Sequence, residues 1–238
     1  MRFYLSLVQI QLLDENLEFP STDNATKEGL LAVGGDLNTA RLIAAYERGI
    51  FPWYNPGEMI LWWAPPKRAI IPLDKIRIHK SMRNELNKKR YKVTYDTHFS
   101  DVVSGCAIAK RGGNKVETWI SEEIHEAYSK LHELGLAHSV EVWKDDKLVG
   151  GLYGVSIGAM FFGESMFSIA TNASKVALIH LSEKLKSWGF GPIDCQIMND
   201  HLGTLGAVEI ERDEFQKLLD FHLTSLPTKK GPWTDGVF

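Results

Sequence analysis

Three stretches of the chain carry side chains whose types and spacing could do chemistry. In Ile193-Asp194-Cys195-Gln196 an acid and an amide stand two apart in an apolar run. On a strand, alternate side chains share a face, so Asp194 and Gln196 would point one way and Ile193, Cys195 and Ile197 the other. An acid beside an amide suits the holding of a substrate amine, and Asn199-Asp200-His201 follows at the strand's end. A second acid lies in the run 161–168, where alternation groups Phe161, Gly163, Ser165 and Phe167 against Phe162, Glu164, Met166 and Ser168. A carboxylate among large apolar groups needs a cation or hydrogen-bond donors, because burying it unpaired is expensive. Glu164 is therefore either half of a structural ion pair or the polar wall of a cleft. The third feature is basic: Lys80, Arg83, Lys88, Lys89 and Arg90, then Lys110, Arg111 and Lys115. These form either a solvated face or a patch that tracks RNA phosphates.

Such groups need elements to place them. From residue 73 the pattern predicts helices over 80–89, 99–109 and 121–134, with a strand at 91–95. Strands at 139–143, 148–155 and 159–166, joined by Lys144-Asp145-Asp146-Lys147 and Ser156-Ile157-Gly158, form an antiparallel meander. A helix over 172–188 and a strand over 192–198 follow. Asn172 is read as that helix's cap, and Lys175 adds a cation close to its free N–H groups, a fair phosphate site or an ordinary helix start. Meander, long helix and returning strand give the order of the acetyltransferase-like fold. The basic, glycine-rich loop that grips coenzyme A is replaced by Thr171-Asn172-Ala173-Ser174-Lys175, so no cofactor is expected. Residues 1–72, rich in Gly, Pro and Trp with a helix at 39–48, read as a small irregular N-terminal domain, and 73–238 as the larger one. The fold class is thus α+β, with a mixed, largely antiparallel sheet in the acetyltransferase-like domain.

Composition narrows the rest. A hydrophobic content of 44% supports a packed core, and a net charge of −3 excludes a global basic field. Two cysteines make neither a disulfide framework nor a zinc site, and His132-Glu133 with His138 has the wrong spacing for two ligands on one helical face, so no metal is expected. The apolar start lacks a basic opening followed by a small-residue cleavage site, and no run approaches the ~18 apolar residues of a membrane span. The cytoplasm is the expected location, with no membrane partner.

Several strings together resemble the leucyl/phenylalanyl-tRNA–protein transferase family. They are Gly29 to Leu37, Tyr46 with Arg48-Gly49-Ile50-Phe51-Pro52-Trp53, Leu61-Trp62-Trp63, Thr118-Trp119-Ile120, His138 to Trp143, Gly163 to Ser168, Asn172 to Lys175, and Ile193 through His201. The resemblance implies an aminoacyltransferase that moves Leu or Phe from Leu-tRNA or Phe-tRNA to the α-amino group of proteins beginning with Arg or Lys, marking them for N-degron degradation. It implies Asp194 and Gln196 as the catalytic pair, with Glu164 and Asn199 beside them. Trp53, Trp119, Leu152, Phe161, Met166 and Ile193 would wall the amino-acid pocket, and Lys80, Arg83, Lys88, Lys89, Arg90 and Lys175 would meet the tRNA. Asp194 is expected to bind the acceptor amine. A coenzyme A-dependent N-acetyltransferase and a non-catalytic RNA-binding module are the rival readings.

Overall fold

The structure, a computed structural model, describes residues 10–109 and 118–234. The first part of the chain builds a four-stranded sheet in the order β1-β2-β4-β3 from β1 (Gln11–Leu13), β2 (Leu30–Gly34), β3 (Phe51–Pro52) and β4 (Leu61–Trp63). Strands of two to five residues are too short to show a period, which is why this region reads as irregular in sequence. Helix α1 (Thr39–Tyr46) starts where Asn38 accepts a hydrogen bond from the Arg41 N–H and turns out at Gly49 (φ 70°).

Seven strands form the main sheet, in the order β11-β5-β10-β9-β8-β7-β6. They are β5 (Lys67–Ile71), β6 (Lys92–Tyr95), β7 (Ala137–Lys144), β8 (Lys147–Ile157), β9 (Met160–Ser168), β10 (Ile193–Asp194) and β11 (Val208–Glu211). All neighbours are antiparallel except β9 and β10, which run parallel. The helices are α2 (Lys80–Asn87), α3 (Phe99–Ile108), α4 (Glu122–Glu133), α5 (Ala173–Ser187), α6 (Asp200–Leu205) and α7 (Arg212–Ser225). The antiparallel meander β7-β8-β9, the long helix α5 and the returning β10 give the acetyltransferase-like order. Strand β5 precedes residue 72 yet pairs with β10 and β11, so the main sheet reaches back into the segment read as N-terminal.

The core is split by the main sheet. One cluster joins α1, α3, α4 and α7 to residues such as Tyr153, Phe162 and Phe167. The other packs α5 and α6 against Leu152, Phe161 and Ile193 on the opposite face. Trp62 and Leu42 belong to the first cluster, so the small sheet shares a core with the larger body. Helix α5 departs from the expected cap: Asn172 is left-handed (φ 66°) and makes no capping bond, and the Ser168 hydroxyl accepts from the Ser174 N–H instead.

Candidate active site

A gap in the main sheet makes the site. Strand β10 pairs with β9 only at Ile193↔Phe161 and Asp194↔Phe162, whereas β9 runs on to Ser168. Sequence alternation predicts a strand to residue 198, but Gln196 adopts φ 57° and turns the chain away. Cys195 N–H donates to the Ala69 carbonyl and Ala69 N–H to the Gln196 carbonyl, so the exit is tied to β5. The unpaired edge of β9, the start of α5 and the exit of β10 enclose a cavity of about 1090 Å3. Leu152, Phe161, Met166 and Ile193 line it, with Glu164, Gln196, Asn199 and His201.

The expected faces of β9 are corrected by a bulge. Ser165 pairs with Tyr153 and Gly163 with Gly154, which leaves Glu164 as one extra residue on β9. The bulge resets the alternation: Phe162 and Phe167 join one core cluster, Phe161 and Met166 the other. It also lifts the Glu164 side chain out of the regular row. Gly154 is required opposite it, because a Cβ there would lie 2.6 Å from the Phe161 ring.

Among the described residues no cation pairs with Glu164. Tyr46 at the end of α1 donates to its Oε1 at 2.7 Å, and Tyr128 of α4 to its Oε2 at 3.1 Å. The two phenol oxygens are themselves 2.5 Å apart, and Gln196 Nε2 donates to Oε1 at 3.5 Å. Each phenol brings one proton, so the three contacts among Tyr46, Tyr128 and Glu164 have only two protons when the carboxylate is ionised. A third, on the carboxyl, makes every contact a hydrogen bond. Burial, opposed by the two phenol hydrogen bonds and assisted by the Asp194 charge, raises the Glu164 pKa to about 7. Burial and then the Glu164 charge push both phenols well above their ordinary range, so they remain donors.

Asp194 is placed differently. Its side chain is fully buried, and Arg68 of β5 clamps it with two bonds, Nε to Oδ1 at 2.8 Å and Nη2 to Oδ2 at 2.6 Å. The same Oδ1 accepts the Gln196 backbone N–H at 3.0 Å. Arg68 Nη1 donates to the Gly49 carbonyl, and its guanidinium lies over the rings of Phe51 and Phe215. The expectation that Asp194 and Gln196 point together from one strand face is thereby corrected. Asp194 turns inward and holds the backbone of Gln196, and Gln196 reaches the cavity. Beside them the Cys195 thiol is pushed far up by burial. The sequence reading gives no site role to Arg68, Tyr46 or Tyr128, although Tyr46 stands in one of the strings that carry the resemblance. The only available signal was an arginine opening the apolar run Ala69-Ile70-Ile71, a position that calls for a buried anion.

The remaining expected residues divide by location. Asn199 lines the cavity while its side chain caps α6 by accepting from Leu202 N–H. Trp53 is 46% exposed beside Trp63, and Trp119 packs at the border of the core; neither is among the cavity's lining residues. Lys80, Arg83, Lys88, Lys89 and Arg90 are exposed on and just after α2, with Lys88 and Arg90 near Glu85. Lys175 shares a small cleft with Arg77 and His79, and its charge is felt by His201 at the cavity wall. Basic groups thus lead from the cavity to α2. Lys110, Arg111 and Lys115 lie outside the described residues. Among the described residues no group of three or more His, Cys, Asp or Glu could hold a metal ion.

Comparison with known proteins matches two family profiles: leucyl/phenylalanyl-tRNA protein transferase over residues 70–220, and the N-terminal domain of the same transferase over 35–66. The leucyl/phenylalanyl-tRNA–protein transferase of Cellvibrio japonicus (strain Ueda107) is 53% identical, covering 89% of this chain and 90% of its own. That of Flavobacterium psychrophilum (strain ATCC 49511 / DSM 21280 / CIP 103535 / JIP02/86) is 51% identical, covering 88% and 99%. Among solved structures, L-PGS from Bacillus licheniformis aligns with a TM-score of 0.38 and 13% identity over 71% of this chain and 54% of that one. A likeness that remote carries no argument.

Proposed function

The chain belongs to the leucyl/phenylalanyl-tRNA–protein transferase family, and from that premise we propose how its residues divide the work. It is an aminoacyltransferase that uses aminoacyl-tRNA and a protein acceptor. The observation that carries the reading is an apolar cavity whose polar wall is Glu164 and Gln196. Leu152, Phe161, Met166 and Ile193 take the Leu or Phe side chain. One methylene in such a pocket is worth only about 1–3 kcal/mol, which suits an enzyme that accepts both residues. The tRNA approaches past Lys175 along α2, where Lys80, Arg83, Lys88, Lys89 and Arg90 meet phosphates.

An aminoacyl ester is already activated, so the site must position an amine and remove one proton. The acceptor's α-ammonium has a pKa of roughly 7.7–8, close to that of Glu164. Glu164 accepts that proton, which completes the ring with Tyr46 and Tyr128. The free amine attacks the ester carbonyl. The N–C bond forms as the C–O bond to ribose breaks, and the second proton lost by nitrogen ends on the ribose hydroxyl. Gln196 holds the reacting groups in line, and Asn199 completes the polar rim. Asp194 acts as a positioning residue, since its carboxylate is already occupied by Arg68 and the Gln196 N–H.

Acceptors beginning with Arg or Lys, which the family resemblance implies, are the proposed substrates, and the N-degron role follows from such acceptors. The cytoplasm, where charged tRNA is made, is the proposed location; among the described residues no helix is long and apolar enough to cross a membrane. The division of the chain falls at Pro66 to Lys67 on this reading, because β5 belongs to the main sheet. The test is transfer of radiolabelled Leu from Leu-tRNA to a peptide beginning with Arg, with an N-acetylated peptide as control. Label on the free amine alone is expected. Transfer from acetyl-coenzyme A without tRNA, or equal labelling of both peptides, would overturn the reading.

A further inference from the structure

The family profile stops at residue 220, and the segment beyond α7 runs along one end of the main sheet, past the β8–β9 turn, the start of β7 and the residue after β6. Gly158 N–H donates to the Thr228 hydroxyl, and the segment passes so close to Gly135 that a Cβ there would lie 2.1 Å from the Gly231 nitrogen. It inserts Trp233, only 2% exposed, into the core cluster behind the cavity.

Trp233 is held from several directions. Its backbone N–H donates to Asp96 Oδ2 at 2.6 Å, and that same oxygen binds His138 Nδ1 at 2.8 Å. The His138 ring lies flat against the indole, 3.7 Å between centroids and 9° between planes. Trp188 meets it edge-on at 5.0 Å. Phe161 touches it too, with centroids 5.9 Å apart. Phe161 also lines the cavity and is closed from another side by the backbone at Gly154, where no side chain fits. A ring backed by glycine and a clamped indole has nowhere to retreat, because packed interiors lack spare volume.

We infer that Trp233 is a positioning residue that sets the depth of the amino-acid pocket through Phe161, making the C-terminal segment a determinant of side-chain selectivity. The inference rests on the reading that this cavity receives the Leu or Phe side chain. Removing the indole opens a void on the far side of Phe161, and a ring free to move into it deepens the pocket. The longer Phe side chain then gains relative to Leu.

The measurement is kcat/KM for Phe-tRNA divided by that for Leu-tRNA, in the full chain carrying Trp233→Ala, Trp233→Phe or Phe161→Ala. A ratio within one preparation is insensitive to the fraction of enzyme folded, so mere destabilisation does not move it. The Phe:Leu ratio is expected to rise about three- to ten-fold in Trp233→Ala, below the span of a whole methylene because the ring moves only part way. Trp233→Phe, which leaves a smaller void and folds more readily, is expected to shift the ratio less, in the same direction. A ratio that changes in Phe161→Ala but not in either Trp233 variant overturns the inference alone. A ratio unchanged in all three overturns the pocket reading, and this inference with it.

Discussion

Two carboxylates stand on either side of Gln196 and have opposite surroundings. On the closed side of the β9–β10 seam, Asp194 is buried against Arg68 with its oxygens taken by three donors. On the open side, among the described residues, Glu164 is held by two phenols and an amide, and burial raises its pKa to about 7. A full charge as partner makes a buried acid a structural tie, and neutral donors leave it able to exchange a proton. The Asp194 pair ties β5, the turn at Gly49 and α7 to the site; the Glu164 ring faces the cavity.

The largest expected effect comes from breaking the closed side. Arg68→Ala leaves Asp194 buried without its cation, and removing one partner of such a pair costs about 3–5 kcal/mol. Urea unfolding measures this, and Arg68→Lys should recover only part of it, since an ammonium cannot form the two-pronged contact. A loss below about 1 kcal/mol, the ceiling for exposed pairs, would erase the contrast with Glu164.

On the open side, Glu164→Gln is expected to slow single-turnover transfer by about 100-fold or more, the usual contribution of a positioned base. Its pH dependence is the sharper readout. Wild-type transfer should rise as Glu164 ionises around pH 7, and the variant should keep only the rise set by the acceptor amine. A variant whose profile matches the wild type would remove Glu164 from proton transfer.

The same group makes a smaller prediction about stability. A carboxyl whose folded pKa is raised binds its proton more tightly folded than unfolded. Its contribution is therefore fully present below about pH 4.5 and is lost as the pH rises through about 7. Glu164→Gln should accordingly gain on the wild type between pH 5 and 8, by on the order of 1–2 kcal/mol given its partial access to the cavity. Thermal melts across that range would show it, and a constant difference at all pH values would contradict the raised pKa.

The smallest effect belongs to an ion pair in water. Lys88→Ala breaks the exposed contact to Glu85 and should change stability by less than about 0.5 kcal/mol. If Lys88 meets a phosphate, the slope of log affinity for tRNA against log salt should become shallower by about one. A filter-binding salt series reads this directly, and an unchanged slope would take Lys88 out of the tRNA path.

Much of the fold was legible because long elements repeat their pattern. Helix α4 opens at Ser121, whose side chain caps the Ile124 N–H, and the meander strands fall close to their expected places. The short strands β2, β3 and β4 carry no readable period. Gln196 and Glu164 were misplaced for one reason: strict alternation assumes an unbroken strand. A left-handed residue ends one strand early, and an extra residue shifts the other.

The sequence by itself determined the family, the order of the elements and the acids, amide and apolar groups available to the site. It did so because motif spacing and periodicity are local properties of the chain. Only the tertiary structure decided which acid is paired with a cation and which is set among phenols. Arg68 lies 126 residues from Asp194, and Tyr46 lies 118 from Glu164. The charge state of a buried group is set by what folding brings against it. For the same reason the packing of Trp233 against Phe161, behind the cavity, could be read only from the folded chain.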